Sequence, residues 1–129
     1  MHVDDSGNHF RVIVFENYVV KIPRTADKRA ELDDIVEVQN YLAEHVDGIL
    51  PVERVEDVLV MARAPGERAD KRDDWLYLRD LRDEIQAQVN DLGYVIMDIG
   101  VSDMFYDESD DQLYLVDFSQ VRTYEEVYG

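Results

Sequence analysis

Two early runs, Phe10-Arg11-Val12-Ile13-Val14-Phe15 and Tyr18-Val19-Val20-Lys21-Ile22, are dense in β-branched and aromatic residues, which fit a pleated, half-buried surface. Between them Glu16-Asn17 supplies a tight turn, because Asn tolerates the left-handed backbone, and a hairpin is predicted. Pro23 ends the second strand. Thr25 then caps a predicted helix from about Ala26 to His45, where Leu32, Ile35, Leu42 and Val46 recur at helical spacing. After Asp47-Gly48, the stretches Ile49–Val52 and Val58–Met61 read as strands around a charged turn from Arg54 to Asp57. Ala64-Pro65-Gly66 breaks the pattern. A second helix is predicted from about Asp73 to Leu92, with Trp75, Leu78, Leu81, Ile85 and Val89 on one side and Gly93 as its stop. A short apolar piece, Tyr94–Met97, precedes a hairpin whose arms are Met104–Tyr106 and Gln112–Val116, joined by the acidic loop Asp107–Asp111. Strands, helix, strands, helix, strands is an α+β order.

No internal repeat, low-complexity tract or Pro/Gly-rich linker divides the chain, and 129 residues suit one domain with a real core. No apolar run approaches the roughly 20 residues of a membrane-spanning helix, and Met1-His2-Val3-Asp4-Asp5 lacks the basic and apolar regions of a secretory signal. With zero cysteines, disulfides, thiolate metal sites and thiol nucleophiles are excluded. A cytoplasmic location is expected, the host cytoplasm if the source is viral.

Charge sharpens this picture. Against 13 basic residues stand 30 acidic ones, a net charge of −17 that repels nucleic acid phosphates and anionic membranes. Neither nucleic acid nor membrane is an expected partner. Only Lys21, Lys28 and Lys71 are lysines, and 19 aspartates outnumber 11 glutamates. This profile suits a high-salt, halophilic cytoplasm whose counterions screen self-repulsion, although a GC-rich coding bias also favours Arg over Lys. Spread carboxylates can also act as an acidic decoy that imitates DNA, a further alternative reading.

The residues with chemical potential are a strand lysine and late aspartates. Asp98 and Asp103 stand five positions apart in Asp98-Ile99-Gly100-Val101-Ser102-Asp103, and Asp117 follows in Leu115-Val116-Asp117-Phe118-Ser119. His2, His9 and His45 lack metal-site spacing, and Asp107–Asp111 lacks the spacing and glycine of an EF-hand, which leaves a solvated hairpin tip. There is no Ser-His-Asp order or nucleophile elbow.

In order and spacing, from about Phe10 to Ser119, these pieces resemble the protein-kinase-like fold, particularly its very small viral and prokaryotic versions. Val19-Val20-Lys21-Ile22-Pro23-Arg24 resembles the strand whose lysine binds the ATP α- and β-phosphates, and Val58-Leu59-Val60-Met61-Ala62-Arg63 resembles the strand leading to the hinge that holds adenine. The resemblance implies Lys21 and Met61 at the nucleotide. It implies Asp98 as the group that orients the acceptor hydroxyl and takes its proton, with Asp103 and Asp117 as magnesium ligands. The glutamate that would partner Lys21 is Glu37, ranked first, or Glu31, which falls on the buried side of the helical wheel beside Leu32, Ile35 and Leu42.

The sequence also departs from the family pattern. Asp4-Asp5-Ser6-Gly7-Asn8 carries one glycine where a glycine-rich phosphate loop is expected, Asp103 replaces Asn, Ser119 replaces Gly, and Ile96-Met97 replaces a basic partner before Asp98. Only 12 residues follow Asp117, so the resemblance implies a truncated lower lobe. The expected architecture is a single truncated kinase-like domain over 1–129. Residues 1–63 form a small antiparallel N-lobe sheet with one long helix, and 64–129 a reduced C-lobe with a helix and a β-hairpin. The implied function is Mg-ATP-dependent phosphotransfer. The alternative is a catalytically impaired pseudokinase that acts as an interaction module, with a protein partner or a second copy covering apolar surface.

Overall fold

The computed structural model describes residues 1–4 and 9–129. Strand β1 (His2–Asp4) pairs antiparallel with β2 (Phe10–Val14), and β2 turns through Glu16-Asn17 into β3 (Tyr18–Pro23). Phe15 N–H donates to the Tyr18 carbonyl at 2.8 Å and the two rings stack at 4.7 Å, so the expected turn is closed on both sides. The expected phosphate-covering loop, Asp4 to Asn8, lies outside the described residues from Asp5 onward.

The single long helix expected from Ala26 to His45 forms as two: α1 (Ala26–Ala30) and α2 (Leu32–His45). Thr25 caps α1 by accepting from Lys28 N–H at 3.1 Å. At Glu31 the N–H donates to the Lys28 carbonyl, a tighter three-residue closure that interrupts the regular helix. Lys28 and Leu32, four positions apart, both point inward.

Strand β4 (Val52–Val55) is displaced toward the C-terminus from the expected Ile49–Val52, and β5 (Val58–Ala62) follows a turn with Glu56 in the left-handed region, φ 53°. Pro51 lacks a ladder donor, and side chains of α2 hold the approach instead. Gln39 Nε2 donates to the Leu50 carbonyl at 2.8 Å, while Asn40 exchanges two bonds with Val52, 2.8 and 2.9 Å. These strands make one antiparallel sheet in the order β1-β2-β3-β5-β4.

Beyond the sheet, β6 (Glu67–Arg68) leads through a 3-10 turn, Ala69–Lys71, to α3 (Trp75–Asp91). Helix α3 starts at Trp75, after Asp74, whose carboxylate accepts from Arg72 at 3.0 Å on each oxygen and makes no side-chain cap. Gly66, at φ 95°, lies where a Cβ would fall 2.0 Å from the Tyr106 carbonyl, so only glycine fits this close crossing. Strand β7 (Tyr94–Ile96), a second 3-10 turn Val101–Asp103, β8 (Met104–Asp107), β9 (Gln112–Leu115), β10 (Val121–Thr123) and α4 (Tyr124–Tyr128) complete the chain. They form a β6-β8-β9 sheet and a β7-β10 pair.

Two apolar cores hold this α+β arrangement. Phe10, Leu32, Val52, Leu59 and Met61 pack beneath the five-stranded sheet, and a larger cluster gathers Leu42, Ile85, Val89, Met104, Leu115 and Phe118 among its members. Helix α2 joins them, with Leu32 in the first and Leu42 in the second, both fully buried. Each such leucine contributes roughly 1.5–3 kcal/mol by leaving water. Among the described residues, no helix is long and apolar enough to cross a membrane.

Candidate functional site

Strand register aims Lys21 inward. Val12, Lys21 and Leu59 are direct partners across β2, β3 and β5, so their side chains share the sheet face that carries Phe10, Val19 and Met61. That face is covered by α2 at one end. At the other it forms a wall of a cleft of about 880 Å³, within the range of small-molecule sites.

The opposite wall comes from the late part of the chain. Lys21 Nζ donates to the Val116 carbonyl, which places the ammonium beside the Val116-Asp117-Phe118-Ser119 segment. Burial holds Lys21 below the usual lysine range, and the charges of Asp117 and Asp103 oppose that shift. Asp117 Oδ1 accepts from Ser119 N–H at 2.9 Å, Phe118 is buried in the larger core, and Lys28 Nζ donates to the Ser119 carbonyl at 2.9 Å. Val116 N–H donates to the Asp103 carbonyl at 3.0 Å, which joins the two aspartate-bearing segments.

Asp103 Oδ2 accepts from Gly100 N–H at 3.0 Å. Its carboxyl is pushed above the usual range, chiefly by burial and then by the Asp117 and Asp4 charges, while the Gly100 bond and Lys21 pull the other way. Asp98 is exposed and lines the same cleft with φ 57°, a left-handed conformation uncommon outside glycine. Among the described residues, no group of three or more His, Cys, Asp or Glu gathers as a metal site. A pair of carboxylates nevertheless suits magnesium, which keeps several waters and takes one or two carboxylates plus phosphate oxygens. Asp103 and Asp117, electrostatically coupled to each other and to Lys21, fit that requirement.

Of the residues singled out from the sequence, Lys21, Met61, Asp98, Asp103 and Asp117 line this one cleft. The two glutamates do not join them. Glu31 pairs with Lys28 at 3.1 Å with its side chain half exposed, and Glu37 is exposed, so the expected glutamate partner of Lys21 is corrected: a backbone carbonyl takes its place. The physical reason is helical spacing: Lys28, four residues before Leu32 and seven before Ile35, takes the inward position, and Glu31 stays outside as its counter-charge.

Other cleft residues escaped the sequence reading. Phe105, Val12 and Val19 supply apolar lining, and period-two alternation on β8 could have flagged Phe105, since Met104 and Tyr106 on either side are buried in the core. Arg68 Nη1 approaches Asp4 Oδ2 at 3.8 Å while its Nε donates to Asp70 Oδ1 at 2.8 Å, and His9 Nε2 lies 2.6 Å from Gln120 Nε2. Both contacts tie the first strands to the late half of the chain.

No protein-family model matches the sequence, and no curated protein matches it. Two solved structures of WbdD do resemble the chain. The 2.2 Å crystal structure superposes with a TM-score of 0.68 at 16% identity, covering 95% of this chain and 33% of that one. The co-crystal structure of WbdD with the kinase inhibitor LY294002 gives a TM-score of 0.59 at 20% identity over the same shares. The chain therefore spans about a third of the length of the WbdD chains it matches. At such identity the likeness speaks to fold alone, and the α+β architecture, with its five-stranded antiparallel sheet and, among the described residues, four α-helices, fits a reduced kinase-like fold.

Proposed function

We propose that the cleft binds a magnesium-nucleotide complex and that the chain is a kinase-like phosphotransferase. The observation that carries this reading is the meeting of Lys21 with Asp103 and Asp117 across a cleft that also offers apolar wall residues at Val12, Val19, Met61 and Phe105. Flat apolar surface suits a purine base, an ammonium suits phosphate oxygens, and paired carboxylates suit a hard cation. Asp103 and Asp117 would hold the metal. When bound, magnesium supplies charge neutralisation for the phosphates.

The chain's own residues divide the remaining tasks. Lys21, released from the Val116 carbonyl, donates to phosphate oxygens and orients them toward Asp98. Asp98, held on a left-handed turn at the cleft, accepts the proton of an acceptor hydroxyl. A strained backbone at this position accords with such a role. The experiment is magnesium-dependent ATP turnover by the wild-type chain, with Asp98→Ala expected to lose about 10²–10⁴-fold and Asp117→Ala to abolish nucleotide-dependent thermal stabilisation. Wild-type inactivity across metals and salt concentrations would reject phosphotransfer.

One observation favours a second reading, an interaction module that binds nucleotide without transferring phosphate: Lys21 is engaged with a backbone carbonyl and neither Glu31 nor Glu37 partners it. Thermal stabilisation by Mg-ATP with no turnover, together with a stable partner in a pull-down, would select it.

A further inference from the structure

We infer that Lys28 is a positioning residue for Asp117, acting from the helix side of the cleft; the inference rests on reading that cleft as a magnesium-nucleotide site. Asp117 lies between the end of β9 at Leu115 and the start of β10 at Val121, where no strand ladder fixes the backbone. Backbone bonds from Val116 N–H to the Asp103 carbonyl and from Met97 N–H to the Gln120 carbonyl, with the buried Phe118 ring, anchor its flanks, and polar side-chain contacts fix the rest. Lys21 Nζ donates to the carbonyl just before Asp117, that of Val116, and Lys28 Nζ donates to the carbonyl of Ser119 just after it, at 2.9 Å. The Asp117 carboxylate closes the turn by accepting from Ser119 N–H at 2.9 Å. Two lysines from opposite sides thus hold the ends of the short segment whose middle is the metal-holding carboxylate.

Lys28 is built for this place. It is 9% exposed, which is rare for lysine, and burying an ammonium is costly unless it is paired and hydrogen-bonded. Glu31 supplies the counter-charge at 3.1 Å, the Ser119 carbonyl supplies an acceptor, and the Thr25 cap fixes the Lys28 backbone. An apolar residue of similar size would cost the fold less, since buried ion pairs are weak sources of stability. The contact therefore makes sense as geometry imposed on the Asp117 turn: with Lys28 gone, the Ser119 carbonyl loses this restraint between the buried Phe118 and the bonded Gln120 carbonyl, and the amide and carboxylate of the turn gain freedom with it.

The test compares wild type, Lys28→Met and Lys28→Arg by two readouts: amide hydrogen exchange of residues 116–120 without ligand, and affinity for Mn(II)-ATP by paramagnetic resonance. Lys28→Met is expected to exchange at least about tenfold faster in this segment with β3 and β5 unchanged, and to bind Mn(II)-ATP about tenfold more weakly, each 1.4 kcal/mol. Lys28→Arg, which still offers a cationic donor, recovers part of both. Unchanged exchange in Lys28→Met, or faster exchange with unchanged affinity, overturns the inference and leaves the cleft reading intact. A wild type that binds no Mn(II)-ATP overturns the cleft reading itself and the role of Lys28 within it. Should Lys28→Met fail to fold, the shorter, uncharged Lys28→Gln is expected to show the same two shifts, and wild-type values there overturn the inference.

Discussion

The two walls of the cleft are held together by different physics. The sheet wall, Phe10 to Ala62, rests on continuous antiparallel ladders above an apolar cluster of Phe10, Leu32, Val52, Leu59 and Met61. Opposite it, the β8–β9 hairpin is laddered and packed into the larger core, but the carboxylate-bearing pieces on either side of it, Asp98–Asp103 and Val116–Ser119, lie outside its strands, and contacts from Lys21, Lys28, Gly100 and Ser119 help to hold the Asp103 and Asp117 segments. Ladders and packing make a structure whose shape tolerates the loss of any one polar group. Carboxylate-bearing turns fixed by few bonds depend more on each of them. The acidic groups suited to chemistry sit on the second kind, where a ligand can move them at small cost.

Breaking the first wall should therefore cost stability. Leu59→Ala removes a side chain that is 2% exposed, and the cavity is expected to lower unfolding stability by about 2–5 kcal/mol in denaturant melts. A loss below about 1 kcal/mol would mean that the ladders alone hold the sheet.

A smaller effect sharpens the comparison from the late half, where acid should act. The Asp111 carboxylate accepts from Tyr106 and Tyr77 hydroxyls at 2.6 and 2.5 Å, and these bonds hold it below the ordinary aspartate value of 3.8. A carboxyl depressed on folding contributes stability that is complete above its unfolded value and is lost as pH falls through its folded value. Melting temperature should thus fall below about pH 4, and Asp111→Asn should make that fall shallower. An identical acid slope in the variant would assign the acid sensitivity to other carboxylates, such as Asp74 on Arg72.

Much of this was legible in the sequence, for reasons visible in particular residues. The β2–β3 hairpin, β5, α3 and the β8–β9 hairpin follow from β-branched runs, helical spacing and turn residues. Lys21, Asp98, Asp103 and Asp117 were legible through their order and spacing in the kinase-like resemblance, and all four line the cleft. The short pairs β1, β6, β7 and β10 carry two or three residues each, too few for a period to register, although Tyr94–Met97 was noticed as apolar. The expected partners of Lys21, Glu37 first and then Glu31, both stay on the outside: Glu37 is exposed, and Lys28, which shares a helical stripe with Leu32, Ile35 and Leu42, takes the inward position with Glu31 beside it. That spacing could have marked Lys28 as inward-facing, but nothing in the helix itself shows that a carbonyl 91 positions later will accept its hydrogen bond.

The account's central claim is most directly tested by a crystal structure with a nonhydrolysable ATP analogue and manganese. The predicted result is anomalous scattering from a metal ligated by Asp103 and Asp117, with the analogue's phosphates on Lys21 Nζ and its base against Met61 and Phe105. An analogue bound elsewhere, or a metal that touches neither aspartate while Lys21 stays on the Val116 carbonyl, would contradict it.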